Sequence, residues 1–196
     1  MTHSGSHDIY GVMLDRETGV SVDNIPMRGC SGTVFTGINA AQLADYYNTE
    51  NVRLIILQYG GNSVPFTRTE KQISDFCDDI ARQIVYLQEQ APGARILFVG
   101  PSDMSTNLQG KMQTYKQLPA IVDSLRVTAQ RSGAAFWDMY AAMGGQGSMA
   151  QWVRQVPPLA GPDYVHFTPR GAEKMGGMLY ETLMLYYEYY ELMKDE

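Results

Sequence analysis

The stretch VRLIILQYGGN, residues 52–62, decides the fold. It is a continuous apolar run that ends in two glycines, which is typical of a buried strand in a parallel sheet. Two further runs share this character, ARILFVGPS (94–102) and AAFWDM (134–139). Helical patterns separate the three runs. The alternation predicts an α/β protein with a mainly parallel sheet and helices on both faces.

The helical segments carry recognisable ends. Residues 39–51 form one helical pattern, with Asn39 as its N-cap. A longer amphipathic helix is predicted between a Thr67/Glu70 capping box and the Pro92-Gly93 pair that ends it.

Two more helices are predicted downstream. The first covers residues 118–133 and has Pro119 in its first turn. The second covers residues 171–196 and is rich in tyrosine. We expect these tyrosines to pack the last helix on its sheet and to cover a neighbouring module: Tyr180, Tyr186, Tyr187, Tyr189 and Tyr190.

The start of the chain predicts a β-hairpin. Its strands would be DIYGVMLD (8–15) and GVSVDNIPM (19–27), followed by the turn-rich loop RGCSGT (28–33).

Composition narrows the function. The 196 residues suffice for one domain, and 44% hydrophobic with 18% charged residues is ordinary for a globular protein. The net charge is −6 with no basic block, which argues against nucleic acid or an anionic membrane surface as a partner. No apolar run is long enough to span a bilayer, and the first residues show no signal-peptide pattern.

The cysteines and histidines argue against a metal site. There are two cysteines, no CxxC pair and three histidines, so a zinc site is not expected and no cofactor is called for. Two free thiols are the favoured state of Cys30 and Cys77, and a disulfide between them stays open as the alternative.

Three loops at predicted strand ends carry groups suited to acyl transfer. A glycine at position 32 leaves its backbone N–H open to a substrate oxygen, and Asn62 offers a side-chain amide. His166 can accept and return a proton near neutrality, and Asp163, three residues earlier, can orient its ring. Each has a plainer interpretation: Asp163 and Asn62 as turn residues, Gly32 as a backbone requirement and His166 as a surface or capping histidine.

In these loops the chain resembles the SGNH hydrolases, also called GDSL esterases and lipases. CSGT resembles the family's glycine block, GGN its GxN block, and DYVH its DxxH block, in the family's order. The resemblance covers about residues 19–190 and implies a three-layer α/β/α flavodoxin-like sandwich. It also implies that Asp163 and His166 belong to a catalytic triad, with Gly32 and Asn62 as oxyanion donors.

The chain departs from the family at the nucleophile. The GDS block is absent, and the usual first strand that carries it is missing. Some bacterial members, similar to peptidoglycan O-acetylesterases, have a β module inserted between the Ser and Gly blocks. The resemblance therefore implies that residues 1–18 are the exit strand of such a module and that residues 19–196 are the hydrolase-like domain.

The nucleophile itself is unknown. Five serines are alternatives. Ser4 and Ser6 lie at the start of the chain, and Ser31, Ser63 and Ser102 lie in loops near the presumed site. The favoured interpretation is that the nucleophile belongs to a preceding part of a longer esterase, which leaves this chain alone nearly inactive. A missing inner strand would leave buried backbone groups unpaired at about 1–3 kcal/mol each. We therefore expect residues 8–15 to fill that position, from the same chain or swapped within a homodimer.

The implied function is hydrolysis of a small acyl ester, such as an acetyl group on a polysaccharide, in the periplasm or outside the cell. The first rival is a non-catalytic module on a degenerate hydrolase fold that binds glycan or a partner. The second is a flavodoxin-like nucleotide binder, which the absence of a P-loop or GxGxxG disfavours.

Overall fold

The structure, a computed structural model, describes residues 18–194. In chain order its main elements are α1 (Ala40–Thr49), β1 (Leu54–Gln58), α2 (Glu70–Gln90), β2 (Arg95–Val99), β3 (Ser105–Leu108), β4 (Lys111–Thr114), α3 (Leu118–Arg131), β5 (Ala135–Trp137), α4 (Met139–Met143), α5 (Ser148–Arg154) and α6 (Pro169–Met193). Short 3-10 turns cover Phe35–Gly37 and Gly61–Ser63.

The main sheet is parallel, as the sequence predicts. Its order is β1-β2-β5, so β2 lies in the middle with one parallel neighbour on each side. The hairpin of β3 and β4, which the sequence analysis did not predict, forms a separate antiparallel pair. It follows β2 directly, so it extends from the carboxyl edge of the main sheet.

Helices cover both faces of the sheet, which confirms the three-layer arrangement. Ile96 and Phe98 of β2 point into a core shared with α2 and α3. Leu97 and Val99, which alternate with them, point into a second core shared with α4, α5 and α6. Successive side chains of a strand face opposite sides of a sheet, so β2 joins the two cores.

The strand β1 is less buried than its apolar sequence predicts. Leu57 packs into the first core, but Leu54 and Ile56, on the opposite face, are 44% and 43% exposed. Among residues 18–194, β1 pairs only with β2, so its other edge has no strand beside it. A central strand would be covered on both faces, whereas this strand lies at an edge.

The predicted second strand of the N-terminal hairpin does not form. Residues 19–27 contain no strand, and Val20 and Val22 are almost fully exposed. Residues 19–27 therefore do not pair with β1 and do not fill the position beside it. Residues 8–15 lie outside the described part of the chain, so their placement in this position stays a prediction.

The helix caps follow the sequence with one correction. Asn39 caps α1 by accepting from the Gln42 N–H, as predicted. The capping box of α2 is formed by Thr69 and Gln72, two residues later than the predicted pair. The Thr67 hydroxyl instead donates to the Ser63 carbonyl at 2.8 Å, which keeps it in the preceding turn. Pro119 lies in the first turn of α3, as expected.

The tyrosines of α6 do not pack on the sheet. Tyr180, Tyr186, Tyr187, Tyr189 and Tyr190 are all more than half exposed, so this part of the prediction is wrong. Only the first turns of α6 contribute buried side chains, such as Met175. Within residues 18–194, none of the helices combines the length and the apolar character needed to cross a membrane.

We predict that Leu125→Ala lowers the free energy of unfolding by about 2–5 kcal/mol, because the side chain is fully buried in the first core. Val127→Ala on the same helix should change it by less than about 0.5 kcal/mol, since Val127 is exposed. Urea unfolding followed by circular dichroism measures both. Equal losses would contradict the placement of α3.

Candidate active site

The loop that carries Asp163 and His166 is closed tightly on itself. Ala160 and Phe167 form an antiparallel bridge, and the Gly161 N–H donates to the His166 carbonyl at 2.8 Å. Tyr164, between them, has a left-handed backbone with φ of 59° and donates its N–H to the Gly161 carbonyl. The backbone thus fixes where the Asp163 and His166 side chains begin.

The two side chains meet as the sequence predicts. His166 Nδ1 lies 2.7 Å from Asp163 Oδ2. The other oxygen, Oδ1, accepts the backbone N–H groups of Val165 and His166, both at 3.0 Å. Asp163 is therefore both a turn residue and the partner of the imidazole, and its catalytic role stays a prediction.

These bonds set the charge of the carboxylate. Partial burial alone would raise the pKa of Asp163, but the hydrogen bonds from the His166 ring and from the two backbone N–H groups outweigh it and lower the pKa to about 2. The group is therefore ionised at neutral pH.

The ionised carboxylate also fixes the tautomer of the histidine. An ionised carboxylate only accepts hydrogen bonds, so Nδ1 of His166 must carry a proton. Nε2 of the neutral ring is then an acceptor. The His166 side chain is 81% exposed, which leaves Nε2 accessible to a reacting group. This is the arrangement that a general base needs.

Asn62 lies in the 3-10 turn that follows β1, where its exposed side chain holds the glycine loop. Its Nδ2 donates to the Cys30 carbonyl at 3.0 Å. An amide nitrogen carries two protons, so the second remains as a donor. The structure therefore brings the Asn62 carboxamide against the loop that contains Gly32, two residues beyond Cys30.

Gly32 has a demanding backbone position. Its φ is 84°, and a Cβ added there would lie 2.5 Å from Cγ of Tyr59. Its N–H donates to Cys30 Sγ at 3.2 Å, a weak acceptor. The backbone requirement alone thus explains the glycine. An oxyanion role would require this N–H to leave the thiol for a stronger acceptor.

The loops are brought to one edge of the sheet by the parallel strands. The Asn62 turn follows β1, and residues 100–104 follow β2, so both leave the same edge. The Ser105 N–H donates to the Tyr164 carbonyl at 3.0 Å, which ties the histidine loop to the segment after β2. Val165 and Tyr59 also pack against the same core.

None of the loop serines supplies a nucleophile in contact with the base. Within residues 18–194, the hydrogen bonds of the His166 ring involve Asp163 and no serine hydroxyl. Ser63 is buried in its turn, whereas Ser31 and Ser102 are half-buried. Ser4 and Ser6 lie outside the described residues.

The cysteines are both free thiols, Cys77 buried in α2 and Cys30 half-buried in the glycine loop. Burial raises the pKa of the Cys77 thiol. Among the described residues, no group of three or more histidine, cysteine or acidic side chains is placed to hold a metal ion.

Sequence reasoning missed one buried charged residue near these loops. Asp103 follows β2 and is fully buried. Its segment, GPSDM, contains a single acidic residue at a strand end, which is a weak signal in the sequence. Its partners come from distant parts of the chain and could not be predicted.

Comparison with known proteins gives a family match over most of the chain. The family model described as GDSL-like lipase/acylhydrolase matches residues 2–174. No curated protein sequence matches the chain.

Solved structures share the fold. A peptidoglycan O-acetylesterase superposes with a TM-score of 0.69 at 25% identity over 86% of this chain. The chain spans 45% of that protein's length. The periplasmic domain of a lipopolysaccharide acetyltransferase from Salmonella Paratyphi A (TM-score 0.51, 15% identity) is covered over 60% of its length by 72% of this chain. A protein described as a GDSL-like lipase from Parabacteroides merdae (0.51, 16%) is covered over 68% of its length by 74% of the chain.

We predict that Gly32→Ala is more destabilising than Gly29→Ala. Both glycines have a left-handed backbone, at φ of 84° and 74°, so both variants incur strain of about 1–2 kcal/mol. Only at position 32 does the new methyl group meet another side chain, that of Tyr59, which adds about 1–3 kcal/mol of overpacking. Urea unfolding of the two variants gives the difference. Equal costs would contradict the close approach of Gly32 to Tyr59.

We also predict that His166→Ala raises the pKa of Asp163 from about 2 towards its ordinary value of about 3.9, because the strongest of the lowering contacts is lost. The increase should be incomplete, since the backbone N–H donors remain. Carboxyl ¹³C NMR across pH 1.5–6 measures it, about the range in which the two states titrate. Arg170→Ala, which removes an exposed cation that makes no ion pair with Asp163, is the matched control.

The lowered pKa of Asp163 also makes the stability of the folded protein depend on pH. Because the folded pKa lies below the unfolded value, the stabilisation from this pair is present above about pH 4 and is lost as the pH falls through about 2. In His166→Ala this acid-dependent loss should shrink. An unchanged carboxyl titration in that variant would refute the pairing.

Proposed function

Since the chain belongs to the GDSL-like lipase/acylhydrolase family, we propose that it forms the acid–base part of a serine ester hydrolase of SGNH type. The observation that carries the proposal is the 2.7 Å contact between His166 Nδ1 and Asp163. In the neutral ring this contact leaves Nε2 as the acceptor, and the 81% exposed side chain is held by a fixed loop. Fold alone would not support a reaction, because one fold hosts many functions.

The reaction begins with proton transfer to His166. A serine hydroxyl within hydrogen-bond reach of Nε2 gives up its proton as its oxygen attacks the ester carbonyl. The imidazolium that forms is stabilised by the ionised Asp163, and it then returns the proton to the leaving alcohol. Water attacks the acyl-enzyme in a second round that uses the same base.

The oxyanion is held by Asn62 and Gly32 in this proposal. The second Nδ2 proton of Asn62 is one donor, and the Gly32 N–H is the other. The bond from Nδ2 to the Cys30 carbonyl fixes the two donors relative to each other before substrate arrives. The second Nδ2 proton of Asn62 is thereby preorganised, whereas the Gly32 N–H must first leave the Cys30 thiol. The Gly32 N–H has only a thiol to give up, at little cost.

The nucleophile is proposed to come from outside residues 18–194, on a strand that pairs with the open edge of β1. Two observations support this placement. Within residues 18–194 no strand pairs with that edge of β1, and Asn62, the proposed oxyanion donor, follows the same strand. A serine at the carboxyl end of an added parallel strand would emerge beside Asn62. Without it, this chain alone would be nearly inactive.

The proposed substrate is an acetyl ester on a carbohydrate, processed in the periplasm or outside the cell. The support is that the peptidoglycan O-acetylesterase, the structure that superposes with a TM-score of 0.69, acts on such an ester by its name. The acetyltransferase domain that shares the fold is periplasmic by its name. Neither observation comes from a contact in this chain.

A non-catalytic glycan- or partner-binding module is the second candidate. It is favoured by the lack of a serine beside His166 within the described residues. Such a module would have no need of an ionised carboxylate bonded to an otherwise accessible imidazole. The exposed tyrosines of α6 would instead be its binding surface.

The proposal predicts that a longer protein with a GDS block upstream of this chain hydrolyses p-nitrophenyl acetate. His166→Ala should lower kcat/KM by about 10²–10⁴-fold, because general base catalysis is lost. Asn62→Ala should lower kcat by about 10²–10³-fold with little change in KM, because the donor acts on the transition state. Stopped-flow and steady-state assays measure these effects.

The controls separate the candidates. Ser132→Ala changes the residue that ends α3, just before β5 begins and therefore at the opposite edge of the sheet from the site loops, and should keep kcat within about twofold. For this chain alone, Ser4→Ala and Ser6→Ala test the two serines outside the described residues as alternative nucleophiles. Equal rates for the longer protein and its His166→Ala variant would favour the binding module.

A further inference from the structure

Asp103 is a buried carboxylate for which the proposed reaction has no use. It lies in the segment between β2 and β3, is fully buried, and makes no ion pair within residues 18–194. Burial raises the pKa of Asp103, although hydrogen bonds from the Met149 N–H and the Thr114 hydroxyl partly oppose this. A buried carboxylate is costly unless its contacts are well satisfied. Its contacts therefore indicate its role.

One set of contacts runs through the hairpin. The Thr114 hydroxyl donates to Asp103 Oδ1 at 2.8 Å and accepts the Gly147 N–H at 2.8 Å. Thr114 is the direct cross-strand partner of Ser105. The Ser105 N–H in turn donates to the Tyr164 carbonyl, inside the loop that carries Asp163 and His166. Asp103 thus fixes the hairpin whose first residue holds that loop.

A second set runs through α5. The Met149 N–H, in the first turn of this helix, donates to Asp103 Oδ2 at 2.8 Å. The Trp152 ring, one turn later, packs against Phe167 with ring centroids 5.3 Å apart. The Trp152 carbonyl also accepts the Leu159 N–H. These contacts hold the residues on both sides of the histidine loop.

We propose that Asp103 is a positioning residue that clamps the Asp163–His166 loop from two directions, through Ser105 and through α5. The proposal rests on the proposed function for its catalytic meaning, but the clamp is a property of this chain. A plain helix cap would explain the bond to Met149 alone. It would not explain the Thr114 bridge, which connects the same carboxylate to β4, the strand that pairs with Ser105 and so with the residue that holds Tyr164.

Asp103→Asn tests the clamp at nearly constant volume. An amide has one accepting and one donating end. If Oδ1 keeps the Met149 N–H, Nδ2 faces Thr114, and the Thr114 hydroxyl, which already accepts the Gly147 N–H, must change from donor to acceptor here as well. We expect the Ser105 amide to exchange with solvent at least about tenfold faster, measured by ¹⁵N NMR on the 196-residue chain and expressed relative to amides of α2. The ring signal of His166, assigned by comparison with His166→Gln, should also shift.

The matched control is Ile96→Val in β2, which weakens the buried first core on the other face of the sheet and lies outside the reference helix α2. It should leave the ratio of Ser105 to α2 exchange and the His166 signal unchanged. If Asp103→Asn does not fold, Thr114→Val removes one donor, keeps the carboxylate, and should give the same change at Ser105. An unchanged Ser105 ratio and His166 signal in whichever variant folds would overturn the clamp.

Activity separates this inference from the proposed function. In the longer, nucleophile-bearing protein, Asp103→Asn should lower kcat by about tenfold or more with KM changed less than about twofold, because a displaced base costs rate and not binding. Loss of kcat equal to that in Ile96→Val would overturn the positioning role. Absence of ester hydrolysis in the unmodified protein would instead defeat the proposed function and leave the exchange result standing.

Discussion

The parallel pairing of β2 with β1 on one side and β5 on the other is the constraint on which the rest of this structure depends. Parallel strands send all their carboxyl ends to one edge, so the loops that follow β1 and β2 must leave the sheet together. Burial of β2 on both faces, through Ile96 and Phe98 on one and Leu97 and Val99 on the other, holds that pairing in place. The site loops then need only short-range contacts to reach each other.

The parallel pairing ends at the outer edge of β1, which pairs with no strand within residues 18–194. Such an edge is a place where another strand can add, productively or by aggregation. The exposed Val20 and Val22 lie in the segment that the sequence predicts as a strand.

Sequence reasoning succeeded where structure is local or periodic. The long helices follow from apolar periodicity, and the Asp163–His166 contact follows from two residues three apart in one turn. The β3–β4 hairpin was missed because its strands have four residues each and are largely polar. Its turn residues Gln109 and Gly110 both have positive φ, as a two-residue turn of type I′ requires, and the glycine is the part of this that the sequence shows. The partners of Asp103 lie up to 46 positions away, and no local pattern encodes them.

The exposure of the histidine determines what the described residues can do by themselves. With His166 81% and Asp163 50% exposed, water surrounds the pair, and a charge interaction across 4 Å is then worth only about 1 kcal/mol. In this state Asp163 sets the tautomer and the direction of the ring but contributes little to stabilising an imidazolium. Stabilisation grows when water is excluded. A strand added beside β1 would cover that edge and bring the proposed nucleophile towards Nε2, so completing the sheet and activating the base would be one event.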